Sequence, residues 1–134
     1  MYVDADFAGN YDNSDTENSD TARSRHGYNI TYAGIPIVWI SQLQTEIPLS
    51  TTEAEYTGLS YVLREAILIV NLVKELKEKG INVNNDQAKV RIKVYEDNAG
   101  AIKIAKEKKY RPRAPNIQIA DFITFGIMLR SPVK

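Results

Sequence analysis

Polar and apolar residues alternate from Tyr2 to Phe7, so that Val3, Ala5 and Phe7 share one face of a strand and Tyr2, Asp4 and Asp6 the other. Ala8-Gly9-Asn10 ends this strand, and the Asn/Asp/Ser/Thr-rich run to about Thr21 reads as an exposed loop. Tyr28 to Ala33 is a second strand rich in Tyr, Ile and Thr. Ala33-Gly34 is a turn, and Ile35 to Ser41 a third strand carrying the only Trp. The short connections predict an antiparallel meander over residues 1–41, with Pro36 at a strand start or edge. A long helix spans 50–79. Ser50-x-x-Glu53 and Thr52-x-x-Glu55 both match a capping box at its start, and Lys77, Lys79 and Gly80 suit its end. Ala54, Leu59, Val62, Leu63, Ala66, Ile67, Val70, Val73 and Leu76 keep helical spacing. Ile69 and Leu72 widen that stripe, which predicts a second half buried on more than one side. Residues 82–86 read as loop, and Val90, Ile92 and Val94 mark one face of a fourth strand over 89–97. Helices follow over 98–130: one from Asn98 to about Lys106, a Pro-containing loop over 110–115, and an amphipathic segment from Asn116 to Arg130.

Three strands, helix, strand and helices describe one α/β domain over 1–134 with a mixed sheet: three antiparallel strands plus at least one parallel strand. If the fourth strand lies parallel to the first, Asp97 becomes a neighbour of Asp4, near the carboxyl ends where ligands of open sheets gather.

Charge changes the picture only locally. Lys plus Arg and Asp plus Glu are both 17, so net charge points to no partner. The loop 10–21 is acidic, whereas Lys103, Lys106, Lys108, Lys109, Arg111 and Arg113 form a basic cluster suited to phosphates or simply to a solvated surface. Cysteine is absent, which excludes disulfide and thiolate chemistry. No uninterrupted apolar run approaches the roughly 18 residues of a membrane span, and no membrane association is expected. The opening residues are a strand and not a signal peptide, as in a piece of a longer polypeptide. The single histidine, His26, reads as a turn or surface residue, since no second His or Cys can join it as a metal ligand.

Asp4, Glu55 and Asp97 are the candidate site. Three converging carboxylates repel, and a divalent cation keeps them ionised. Oxygen-only donors favour a hard ion such as Mg²⁺ or Mn²⁺, and a pair of such ions suits attack of water on a phosphodiester. Each residue also has a plainer reading. Asp4 and Asp6 fit an exposed strand face, Glu55 fits a capping box, and Asp97 or Asn98 fits the N-cap of the following helix.

Several blocks together resemble one family. Residues 2–9, YVDADFAG, resemble the YSDADWAG-type opening of the ribonuclease H domain in copia-type retrotransposon polyproteins. Arg23 to Tyr28 resembles its RSTSGY, Gly34 to Ser41 its GxPIxWxS, Ser50 to Tyr56 its SSTEAEY, and Tyr95 to Ile102 its YCDNQSAI. The blocks keep the family's order and spacing. The resemblance implies a ribonuclease H-like fold, two Mg²⁺ or Mn²⁺ ions, and hydrolysis of the RNA strand of an RNA–DNA hybrid during reverse transcription. It further implies a reverse transcriptase in the same polyprotein as partner, and a cytoplasmic location, within virus-like particles, or a nuclear one. Asp4, Glu55 and Asp97 match the family's metal-binding carboxylates, whereas Glu53 and Asp6 match neighbouring motif positions.

The chain departs from the family at its end. Where the family has HSRTKHIDI, residues 111–119 read RPRAPNIQI, and Gln42 and Leu43 replace lysines. The family's later strand and its LADILTK-like helix, where a fourth carboxylate is expected, have no counterpart, and Asp121 is the only acidic residue near. The expectation is therefore a sheet lacking its last strand and helix. Two alternatives to the active enzyme follow: a catalytically weak or inactive remnant, or a structural domain packing on a reverse transcriptase.

Overall fold

The computed structural model describes residues 1–81 and 92–107, together with the backbone of 127–130. Five strands form one sheet in the order β3-β2-β1-β4-β5: β1 (Tyr2–Asp6), β2 (Arg25–Tyr32), β3 (Ile35–Leu43), β4 (Ile92–Tyr95) and β5 (Ile127–Arg130). β1, β2 and β3 are the predicted antiparallel meander. Ala33 and Gly34 join β2 to β3 with φ of 51° and 85°, the left-handed pair that a two-residue hairpin turn demands. β4 returns beside β1 in parallel, with Tyr2 opposite Tyr95.

β5 corrects two expectations. It pairs in parallel with β4, from Ile92↔Ile127 to Tyr95↔Arg130, so the described sheet has a strand beyond the fourth. The sequence pattern predicts these residues as the end of a helix over 116–130. Ile127-Met128-Leu129 is a short continuous apolar run, which helix and interior parallel strand both accommodate, so periodicity does not separate them. The expected loop at 82–86, the start of the fourth strand and the segment 108–126 lie outside the described residues.

α1 (Thr51–Glu78) lies across β1 and β2. Its residues Leu59, Val62 and Leu63 are fully buried with Ile30 and Val94, and pack with Val3 and Tyr28. Gly58 permits this approach: a Cβ there would stand 3.3 Å from His26 Cβ and 3.4 Å from Val3. α2 (Ala99–Lys106) packs on α1 and buries Ala101 and Ala105. The first half of α1 thus lies between sheet and α2, and every residue from Ala54 to Ser60 is buried. The second half runs past these neighbours, leaving Leu68 63% and Leu72 55% exposed. This departs from the burial predicted for that half: Ala66 and Val73 are buried, Ile67, Ile69, Val70 and Leu76 are half-buried, and Leu72 is exposed. By length and composition α1 could also cross a membrane, but its N-terminal half is core here.

His26 is the other correction. It lies inside β2, fully buried, with its ring stacked on Tyr61 at 4.4 Å between centroids. Strand alternation turns Arg25 outward and His26 inward against α1, so this histidine is a core residue. Burial lowers its pKa, which favours the neutral ring. The acidic loop is exposed as predicted and contains one short 3-10 helix, Ser19–Ala22.

Candidate metal centre

Local capping decides which acidic groups are free for other work. Ser50 is the N-cap of α1: its hydroxyl accepts from the Glu53 N–H at 3.2 Å. The Glu53 carboxylate reaches back and accepts from the Leu49 N–H at 2.7 Å. Of the two capping boxes in the sequence, the first one forms, and Glu55 is left to face the sheet. α2 repeats the arrangement. Asn98 is its N-cap and accepts from the Ala101 N–H at 2.9 Å, which releases Asp97 from the cap. Gly100 lies so close to Thr52 that a Cβ would meet its hydroxyl at 2.9 Å, and the two helix starts therefore sit side by side.

These starts border the carboxyl ends of β1 and β4. Asp4 of β1, Glu55 of α1 and Asp97 just past β4 each present a carboxylate oxygen within 4.8 Å of the others. Asp4 and Asp97 are exposed, and Glu55 is buried behind them. Opposite Asp4 on β2 stands Gly27, whose missing side chain leaves Asp4 open on that flank. A hollow of about 400 Å³ leads in from this side, lined by Asp4, Asp97, Gly27, Asn29 and the stacked rings of Tyr2 and Tyr95 at 4.8 Å.

A further carboxylate that the sequence reading passed over, Glu96, acts electrostatically on Glu55 from outside this group. Glu96 is fully buried, and its Oε1 accepts from the Asn98 N–H at 3.0 Å. Burial first, then the charges of Glu96, Asp4 and Asp97, push the Glu55 pKa up to about 8, against a lowering hydrogen bond from the Ala5 backbone. Burial also dominates at Glu96 and, with Asp97 and Asp4, pushes it up to about 7, against the hydrogen bonds from the Asn98 and Asp97 backbones. Oε2 of Glu55 and Oε2 of Glu96 are both buried without a hydrogen-bond partner. Among the described residues, no Lys or Arg forms an ion pair with any of the four. Clustered oxygen donors with a buried, unpartnered carboxylate oxygen among them and no basic side chain to neutralise them suit a hard divalent cation. The donor set therefore fits Mg²⁺ or Mn²⁺.

The remaining predicted residues fall elsewhere. Asp6 is exposed and its carboxylate occupies the space a Gly9 side chain would need. Lys103 and Lys106 are exposed on the last turn of α2. Lys108, Lys109, Arg111, Arg113 and Asp121 lie outside the described residues. Glu96 carried one signal: it directly precedes Asp97 at the end of an apolar strand whose inward positions are Ile92 and Val94.

Comparison with known proteins finds similarity to mobile-element polyproteins. No family model matches the sequence, and no solved structure matches it. It is 34% identical over 118 residues to the retrovirus-related Pol polyprotein from transposon TNT 1-94 of Nicotiana tabacum, an alignment covering 88% of this chain and 8% of that protein. It is 30% identical, again over 118 residues and 88% of the chain, to the Pol polyproteins from transposons RE2 and RE1 of Arabidopsis thaliana, covering 7% of each. The chain thus spans less than a tenth of the length of these relatives. Its homologues are retrovirus-related Pol polyproteins of plant copia-type transposons.

Proposed function

We propose that this chain is a ribonuclease H-like domain that hydrolyses the RNA strand of RNA–DNA hybrids with divalent metal. The observation that carries this reading is the meeting of Asp4, Glu55 and Asp97, from three separate elements, within 4.8 Å. The parallel placement of β4 beside β1 and the similarity to Pol polyproteins support it. Asp4, Glu55 and Asp97 hold the cations, with Glu55 anchoring them from the buried side. When bound, a pair of Mg²⁺ or Mn²⁺ ions supplies an activated water and stabilises the leaving oxygen. The exposed Asp4 and Asp97 orient the scissile phosphate where it enters from the hollow. Lys103 and Lys106 contact backbone phosphates on the α2 side, and recognition rests on duplex shape and 2′-hydroxyls with little sequence preference.

A second reading has its own observation. Leu68 and Leu72, one turn apart on α1, are exposed apolar residues suited to packing on another domain of a polyprotein, such as a reverse transcriptase. The test of the first reading is strand-specific cleavage of an RNA–DNA hybrid, beside duplex DNA and duplex RNA, in Mg²⁺ and in EDTA. Cleavage confined to hybrid RNA and dependent on metal supports it. Hybrid binding without cleavage leaves a binding remnant, and metal-independent cleavage contradicts it.

A further inference from the structure

Glu96 has no assigned role, yet it is the most completely buried carboxyl group among the described residues. Its position is fixed from two sides. It follows Val94 by two residues and so lies on the face of the sheet covered by α1. Its Oε1 is tied to the start of α2 by the Asn98 N–H at 3.0 Å. Oε2 is left buried and unpartnered, as is Oε2 of Glu55 on the facing helix. Of the charges that act on Glu55, Glu96 is the strongest, ahead of Asp4 and Asp97.

A buried carboxyl oxygen without a partner costs stability that a fold normally avoids. A leucine or methionine at position 96 would fill similar space without that cost. One oxygen is anchored and the other is buried without a partner in a carboxyl group whose charge acts on Glu55, which suits a ligand held ready.

We propose that Glu96 is the fourth carboxylate of the centre, supplying through Oε2 a donor to a second divalent cation that it shares with Glu55. The first cation lies among Asp4, Glu55 and Asp97. This rests on the metal-binding reading above, and it removes the need for a fourth carboxylate from the C-terminal segment. One oxygen each from Glu55 and Glu96, completed by water, suits Mg²⁺ or Mn²⁺, which keep several waters.

Mn²⁺ binding to the whole chain, counted by electron paramagnetic resonance and by calorimetry, tests this. The wild-type protein binds two Mn²⁺. Glu96→Gln, which keeps the size and the acceptor for Asn98, binds one, with its first site weakened less than threefold. Asp97→Asn weakens the first site at least tenfold. Two Mn²⁺ retained in Glu96→Gln overturn the assignment, as does a wild-type stoichiometry of one, a result that needs no variant to fold. A wild-type protein that binds no Mn²⁺ overturns this proposal and the metal-binding reading together. Circular dichroism of Glu96→Gln and Glu96→Met shows whether a lost site reflects a lost ligand or lost structure. If both are native-like and only one Mn²⁺ remains in each, Glu96 is the ligand.

Discussion

Glu53 and Glu55 stand two residues apart in the first turns of α1 and point to different environments. Glu53 turns back to accept from the Leu49 N–H at 2.7 Å, whereas Glu55 is buried among Glu96, Asp4 and Asp97. A helix rotates about 200° over two residues, so one position faces the incoming chain when the other faces the sheet. The two residues should therefore respond in opposite ways. Glu53→Ala removes half of a capping box and costs about 1 kcal/mol of stability, read by urea unfolding, with metal binding unchanged. Glu55→Gln leaves the helix intact, raises stability in EDTA at pH 8, and lowers hybrid cleavage at least about 100-fold, since even partners behind a metal ligand are commonly worth 10–100-fold.

The pH dependence of stability carries the same signature. Glu55 is raised from 4.5 to about 8 in the folded protein, chiefly by burial. A folded-state pKa above the unfolded one means that the unfolded chain gives up its proton first as pH rises. The relative stability from this group is fully present below about pH 4.5 and is lost as pH rises through about 8. In EDTA, the melting temperature of wild type relative to Glu55→Gln should fall by roughly 5–10 °C between pH 5 and pH 8. Saturating Mn²⁺ should reverse that trend, because the cation binds the ionised form. Parallel curves for the two proteins in EDTA would contradict the burial described here.

Asn98 ties the centre to α2. It caps that helix through the Ala101 N–H at 2.9 Å and lies beside Thr52 at the start of α1. Asn98→Ala should cost about 1 kcal/mol, and Asn98→Asp should recover most of it, because aspartate caps as well as asparagine does. Melting temperatures of the three proteins check this. A loss in Asn98→Asp as large as in Asn98→Ala would place the role of Asn98 elsewhere.

His26 should behave as a packing residue. Its ring stacks on Tyr61, and its Nδ1 is buried without a partner. His26→Ala opens a cavity in the core and should cost about 2–4 kcal/mol by denaturant unfolding. His26→Phe keeps the stacked ring, removes the orphaned nitrogen and should stay within about 1 kcal/mol of wild type. Neither change should alter Mn²⁺ stoichiometry.

These residues also show what the sequence made legible. The meander was readable from alternation and the Ala33-Gly34 turn, and α1 from its stripe and its capping residues. The approach of Asp97 to Asp4 was readable because a parallel fourth strand brings them together, and Glu55 joins them from the start of α1. Burial was harder. Leu68 and Leu72 stand about 180° and 220° round α1 from the buried Leu59, so their exposure follows helical phase, whereas an all-round apolar run reads as burial on every side. Ile127 to Leu129 is too short an apolar run to choose between helix and strand. Glu96 was missed because a glutamate beside a candidate ligand reads as a solvated neighbour. It is buried because strand alternation turns it toward α1 while Asp97 stays exposed. Asp121 lies outside the described residues, whereas Glu96 stands directly beside Asp97 in the chain.

The central claim is that Asp4, Glu55 and Asp97 hold metal for hydrolysis of hybrid RNA. The most direct measurement is single-turnover cleavage of a hybrid labelled on each strand, comparing wild type with Asp97→Asn at equal Mn²⁺. The account predicts cleavage of the RNA strand alone by wild type and at least about a 100-fold lower rate in the variant. Equal rates in the two proteins, or cleavage of the DNA strand, would contradict it.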